Sequence, residues 1–165
     1  MSTADAPERA VPTIPGRPPR ILLIQAPYYE AVVGGMRRGA EKLLTQIGAS
    51  MDVVDVAGAY ELPAALRMAI RRSAEPGTIT WDGFLLLGCV VKGETDHYQF
   101  ICDAVCQGVM DISGETGVPL GFGLLTVENL AQAEARSADD HHNKGGEAVQ
   151  AVLQQIILAR RWGLA

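Results

Sequence analysis

Short runs of consecutive apolar residues alternate along this chain with longer stretches of helical periodicity. RILLIQA, residues 20–26, is a short, β-branched run of the buried-strand type. Over residues 30–47, Met36, Ala40, Leu43, Leu44 and Ile47 can share one helical face, and Gly48 marks the end of the helix. MDVVDVA, residues 51–57, predicts a second strand. GAYELP follows it and leads into a helix starting near Pro63, a residue suited to a first helical turn. Residues 81–91 predict strand three, followed by a helix from about Thr95 to Ser113. VPLGFGLLTV predicts strand four, with a short helix over 128–136 and a longer one over 146–162 beyond it.

Alternation of helices with continuously apolar strands predicts a parallel sheet covered on both faces. Right-handed crossovers leave few topologies. The expected architecture is a flavodoxin-like three-layer α/β/α sandwich, its four-stranded parallel sheet ordered 2-1-3-4. A length of 165 residues fits one domain, and a hydrophobic content of 48% is enough for a real core. The first nineteen residues hold five of the nine prolines and lack the apolar core of a signal peptide. They predict a flexible or extended arm, open to pairing with a neighbouring subunit, with a single domain over 20–165.

Composition narrows the function classes. A net charge of −5 argues against a general nucleic-acid binder. The longest apolar run, residues 84–91, is too short to span a bilayer, so no membrane association is expected. Three cysteines, an odd number, read as the reduced thiols of a cytoplasmic protein.

In sheets of this kind ligands sit beyond the carboxyl ends of the strands. The exits here read APYY, GAYELP, KGETDH and LTVEN, and three of the four carry aromatic, acidic or imidazole side chains. Thr95 is the expected N-cap of the third helix, leaving the N–H groups of Gly93 to Asp96 free to bind an anion. His97 then falls in the first turn. There the positive helix end disfavours imidazolium while Glu94 and Asp96 favour it, which suits a general acid–base. Taken locally, His97 remains open between that role and a capping or core-edge histidine.

Arg136 and Lys144 bracket a polar loop and are candidate phosphate partners, the alternative being a solvated loop. His141 and His142 are adjacent, without a third ligand at a helical spacing, and fit no standard zinc pattern. Cys102 and Cys106 share a helix face but read as buried thiols. The chain has no G-x-G-x-x-G after strand one, no G-x-x-x-x-G-K-[ST] and no G-x-S-x-G, so nucleotide cofactors held by such loops are excluded. Tyr28 and Tyr60, at two exits, can stack on a planar ring or pack at the core edge.

GAYELP, LGCVVKGETDHYQFI, VPLGFGLLTVENLAQA and NKGGEA, in this order and spacing, resemble 6,7-dimethyl-8-ribityllumazine synthases, a likeness running from Arg20 to the C-terminus. The resemblance implies condensation of 5-amino-6-(D-ribitylamino)uracil with 3,4-dihydroxy-2-butanone 4-phosphate, with no metal or organic cofactor. By position, Tyr28 matches the aromatic that stacks on the pyrimidine. Ala59, Tyr60 and Glu61 match the segment holding the ribitylamino substrate, and Val90, Val91 and Lys92 the segment lining the uracil. Glu94 and Thr95 match the phosphate-binding helix start, and His97 the proton-transfer residue. Phe122, Arg136 and Lys144 match positions contributed across a subunit boundary, Arg136 towards the phosphate. The resemblance also implies a homo-oligomer, a pentamer or pentamer-based assembly, with riboflavin synthase as a candidate associate.

This chain departs from the family pattern in places. Pro27-Tyr28-Tyr29 stands for the usual Arg-Phe-Asn, Lys92 for an Arg, and Tyr60 for a Phe. Glu134-Ala135 stands for an apolar-acidic pair. The alternatives to a full enzyme are a flavin- or lumazine-binding protein, or a structural oligomer, of the same family with weak catalysis.

Overall fold

A computed structural model describes residues 10–78 and 80–164, so the first nine positions of the Pro-rich arm lie outside the described residues. The described residues form four strands and five α-helices, three of which connect the strands: β1 (Arg20–Gln25), α1 (Glu30–Gln46), β2 (Ser50–Asp55), α2 (Leu62–Ser73), β3 (Gly83–Val91), α3 (His97–Thr116), β4 (Leu120–Val127), α4 (Leu130–Ser137) and α5 (Lys144–Arg161). Short 3₁₀ turns at Pro27–Tyr29 and Ala59–Glu61 follow β1 and β2. The strands pair in parallel in the order β2-β1-β3-β4, as expected.

Strand alternation sorts the core into two layers. Ile21 and Leu23 of β1, with Leu85 and Leu87 of β3, face α1, α4 and α5. Leu22, Ile24, Phe84 and Leu86 face α2 and α3. Covering both faces is why these strands are apolar at every position rather than every second one. Each such side chain stabilises by about 1.5–3 kcal/mol, against roughly 0–1 for an exposed ion pair, so this core outweighs surface pairs such as Lys42–Asp139. β2, at the sheet edge, buries none of its residues fully, and Val54 stands exposed.

Two glycines permit close layer contacts. A Cβ on Gly121 of β4 would run into the Ala148 carbonyl of α5, and one on Gly145 would run into the Met36 carbonyl of α1. Buried Asn143 secures the second approach. Its Oδ1 accepts from the N–H groups of Gly145 (2.9 Å) and Gly146 (3.2 Å), and its Nδ2 donates to the carbonyls of Gly35, Ser137 and Ala138.

Several element starts differ from the sequence expectation. Strand three begins at Gly83, not Trp81. Trp81 instead donates through Nε1 to Asp52 (2.6 Å), while Asp82 accepts from Arg17, Arg160 and the Arg20 N–H. The third helix begins at His97 with Asp96, not Thr95, as its N-cap, and neither carboxylate nor hydroxyl caps it. It runs on to Thr116, where Gly117 takes a positive φ of 62°. The fourth helix starts at Leu130 because Asn129 accepts from the Gln132 N–H at 3.0 Å. The last starts at Lys144, two residues early, because Asn143 caps it.

Residues 10–19 lie along the opposite end of the sheet from the strand exits. Arg160 donates to the carbonyls of Pro15 and Arg17, Arg17 pairs with Asp82 at 2.8 Å, and Ile14 packs on the core. Among the described residues no helix is long and apolar enough to cross a membrane.

Candidate functional site

The carboxyl ends of the strands are held in register beyond their last strand residues. The Ala26 N–H donates to Leu87 O (2.9 Å) and the Lys92 N–H to Val127 O (2.9 Å). Pro27 then pre-sets φ for the turn after β1. This turn sends neighbouring side chains in different directions: Tyr28 is 77% exposed, whereas Tyr29 lies half-buried on the core. After β2, extended Gly58 leads into the Ala59–Glu61 turn.

Between these exits lies a cavity of about 300 Å³. Its lining takes Tyr28 and Tyr29 from the turn after β1 and Gly58, Ala59, Tyr60 and Glu61 from the exit of β2. Cys89, Val90 and Val91 at the end of β3 form the floor, and His97 and Ile101 of α3 close the remaining side. The rings stand in two pairs. Tyr28 and Tyr29 meet edge-to-face with centroids 5.2 Å apart. Tyr60 and His97 are 6.1 Å apart and tilted by 51°. His97 is exposed at the first position of its helix, and its side chain makes no hydrogen bond or ion pair among the described residues.

Burial pushes the Cys89 thiol up to about 11, so it meets the cavity as a neutral, unreactive group. Burial likewise raises the Cys102 and Cys106 thiols. For Tyr29, burial and the nearby Cys89 and Tyr28 raise the phenol, which stays protonated through neutral pH. The cavity thus combines apolar walls, phenols, one carboxylate and one imidazole. Such a set can hold a planar, polar-edged ring and move protons beside it.

Of the residues singled out from the sequence, Tyr28, Ala59, Tyr60, Glu61, Val90, Val91 and His97 meet in this cavity. The others lie outside its lining. Lys92 is exposed and paired with Glu128 (3.2 Å), and Glu94 and Thr95 are exposed in the loop before α3. Phe122 packs on the α2/α3 layer. Arg136 donates to its own helix at Gln132 O (2.9 Å), and Lys144 pairs with Glu147 at 2.6 Å. His141 and His142 stack with centroids 3.7 Å apart, and no group of three or more potential metal ligands occurs among the described residues.

Sequence reasoning passed over Tyr29, Gly58, Cys89 and Ile101 as lining residues. Ile101 lies one helical turn beyond His97, and Cys89 shares a strand face with Val91, so both were accessible from spacing alone. Tyr29 carried no such signal, because a turn has no period.

An aromatic-walled cleft beside an imidazole, at the carboxyl edge of a parallel α/β sheet, defines a small-molecule enzyme of the strand-exit type. Residues 18–160 match the family model described as 6,7-dimethyl-8-ribityllumazine synthase. The chain is 39% identical over 145 residues to the 6,7-dimethyl-8-ribityllumazine synthase of Bartonella tribocorum, covering 88% of this chain and 93% of that one. It is 40% identical to 6,7-dimethyl-8-ribityllumazine synthase 1 of Rhizobium meliloti, over 89% of this chain and 95% of the relative. With the enzyme of that name from Paramagnetospirillum magneticum it shares 38% identity, over 88% and 98% of the two chains. The chain belongs to the 6,7-dimethyl-8-ribityllumazine synthase family.

Proposed function

We propose that this chain condenses 5-amino-6-(D-ribitylamino)uracil with 3,4-dihydroxy-2-butanone 4-phosphate, the penultimate step of riboflavin biosynthesis. The products are 6,7-dimethyl-8-ribityllumazine, phosphate and water. The observation that carries the reading is the meeting of Tyr28, Ala59, Tyr60, Glu61, Val90, Val91 and His97 in one cavity of a chain of this family. Tyr28 stacks on the pyrimidine, the Ala59–Glu61 turn holds the ribitylamino chain, and Val90 and Val91 line the uracil. The substrate amine attacks the ketone, and the carbinolamine loses water to a Schiff base. Phosphate leaves, and ring closure releases a second water. His97 relays protons through these steps, worth about 10²–10⁴-fold. Holding the two substrates in attack geometry contributes more, up to ~7–11 kcal/mol.

Among the described residues no lysine or arginine lines the cavity of the single chain, yet one substrate carries a phosphate. A homo-oligomer supplies what is missing. In a pentamer, or an assembly of pentamers, the neighbouring subunit brings Phe122, Arg136 and Lys144 to this cleft, Arg136 towards the phosphate beside Glu94 and Thr95. Lys92 takes its place at the uracil edge, exchanging Glu128 for substrate. Association with riboflavin synthase and a cytoplasmic location complete the reading, the latter supported by free thiols at Cys89, Cys102 and Cys106.

The test is lumazine formation followed by absorbance with both substrates, alongside native mass of the assembly. Turnover by a particle whose mass is a multiple of five chains is the expected result. Tight riboflavin binding without turnover would instead favour a flavin-binding protein, the reading that the Tyr28–Tyr29 pair also accommodates.

A further inference from the structure

The turn after β1 contains an asymmetry that its sequence, Tyr-Tyr, does not suggest. Tyr28 projects into solvent at the cavity mouth, and a side chain so exposed is free to populate several rotamers. Its ring partner is Tyr29, which meets it edge-to-face, 67° between planes, within the range of favourable aromatic pairs. Tyr29 itself is anchored on three sides. It packs on the core layer of α1, α4 and α5, it lies beside Cys89 at the end of β3, and its backbone follows Pro27 on a segment bonded to Leu87. One ring of the pair is therefore held by the core, and the other is held by the first.

The geometry points to Tyr29 as a positioning residue for the pyrimidine site: its half-buried ring restrains Tyr28 at the mouth of the cavity. This rests on the placement of the pyrimidine against Tyr28 given above. The ring of Tyr29 does this work through packing, and its protonated hydroxyl is not required. A residue acting this way changes binding of the ring substrate without changing the chemical step.

The experiment uses the assembled enzyme and the variants Tyr28→Ala, Tyr29→Leu, Tyr29→Phe and the double variant Tyr28→Ala/Tyr29→Leu. Steady-state kinetics vary each substrate in turn, with thermal unfolding and native mass as controls. Tyr29→Leu is expected to raise KM for the pyrimidine about 3–10-fold, the scale of one aromatic pair, with kcat and the KM of the butanone phosphate unchanged. Tyr29→Phe stays within about twofold of the parent, since the ring is kept. In the double variant the Tyr29 change adds nothing to Tyr28→Ala, the signature of a residue that acts through its neighbour. Should Tyr29→Leu fail to assemble, Tyr29→Met with the same Tyr28→Ala background answers the same question. Additive effects, or a Tyr29→Phe loss as large as that of Tyr29→Leu, would overturn the inference by assigning Tyr29 its own contact with substrate. An unchanged pyrimidine KM in Tyr28→Ala would overturn the placement of the pyrimidine, a separate failure.

Discussion

The two ends of the sheet use polar side chains in opposite ways. At the amino end, the Asp82 side chain is only 6% exposed and is saturated. It accepts from both Arg17 nitrogens (2.8 and 2.9 Å), from the Arg20 N–H (2.7 Å) and from Arg160 (3.2 Å). Beside it, Asp52 accepts from Arg20 and Trp81. At the carboxyl end, Tyr28, Tyr60 and His97 stand around an open cavity, and the His97 side chain is without a hydrogen-bond partner among the described residues. Groups already satisfied by one another hold the fold together, whereas uncommitted groups at a preorganised edge are available to a substrate. Both ends are rich in ionisable residues, so charge density alone does not separate them.

The largest effect that sharpens this contrast is on turnover. His97→Ala is expected to lower kcat by about 10²–10⁴-fold while leaving measurable lumazine formation and an unchanged melting temperature. Complete loss of activity with substrate binding intact would count against a mechanism dominated by substrate orientation. The mirror-image change is Asp82→Ala, which removes the carboxylate shared by Arg17, Arg160 and the Arg20 N–H and leaves the little-exposed Arg160 guanidinium with only the Pro15 and Arg17 carbonyls. It should cost about 3 kcal/mol in denaturant unfolding, with kcat at 25 °C little altered. A kcat loss matching that of His97→Ala would erase the distinction between the two ends. Next in size, Arg136→Ala should raise the KM of the butanone phosphate about tenfold, the loss of one charge-assisted hydrogen bond, and leave the pyrimidine KM alone. An unchanged value removes Arg136 from the phosphate.

The smallest effect is on acid stability. Burial pushes the Asp82 carboxyl up, but the Arg20 N–H, Arg17 and Arg160 outweigh it, and the group ends below its usual 3.8. Hydrogen bonds from Arg20 and Trp81 lower Asp52 in the same direction. For a depressed carboxylate the unfolded chain binds more protons between the folded and unfolded values, so stability rises with pH there. The contribution is present in full above the unfolded value and is lost as pH falls through the folded one. Melting temperature against pH should therefore drop below about pH 4, and drop less steeply in Asp82→Asn. Equal slopes would show that Asp82 is not a source of the acid sensitivity.

Much of this molecule was legible in the pattern of residues. Unbroken apolar runs such as FLLLG announced strands covered on both faces, and alternation with helices left the order 2-1-3-4. Because strand exits are where such sheets bind ligands, Tyr28, Tyr60 and His97 could be placed at one edge before any contact was known, and the family resemblance added Ala59, Glu61, Val90 and Val91. Helix starts were less legible. Thr95 is a good capping residue, yet Asp96, a type that caps at least as well, takes the N-cap position, and Asn143 moves the last helix back to Lys144. Capping preferences are worth only ~1 kcal/mol, small enough for tertiary contacts to override.

The sequence by itself determined the layer each strand residue faces, because a strand alternates with period two whatever surrounds it. It also placed Tyr28, Tyr60 and His97 at one edge, because the loops that follow parallel strands all leave from the same end of the sheet. Only the tertiary structure decided the separation of Tyr28 from Tyr29, one exposed and one anchored. The saturation of Asp82, and the glycine-lined approach of α1, β4 and α5 around Ala148 and Met36, were decided there too. These features depend on atoms brought together from distant parts of the chain, and close packing, unlike periodicity, has no signature along the sequence.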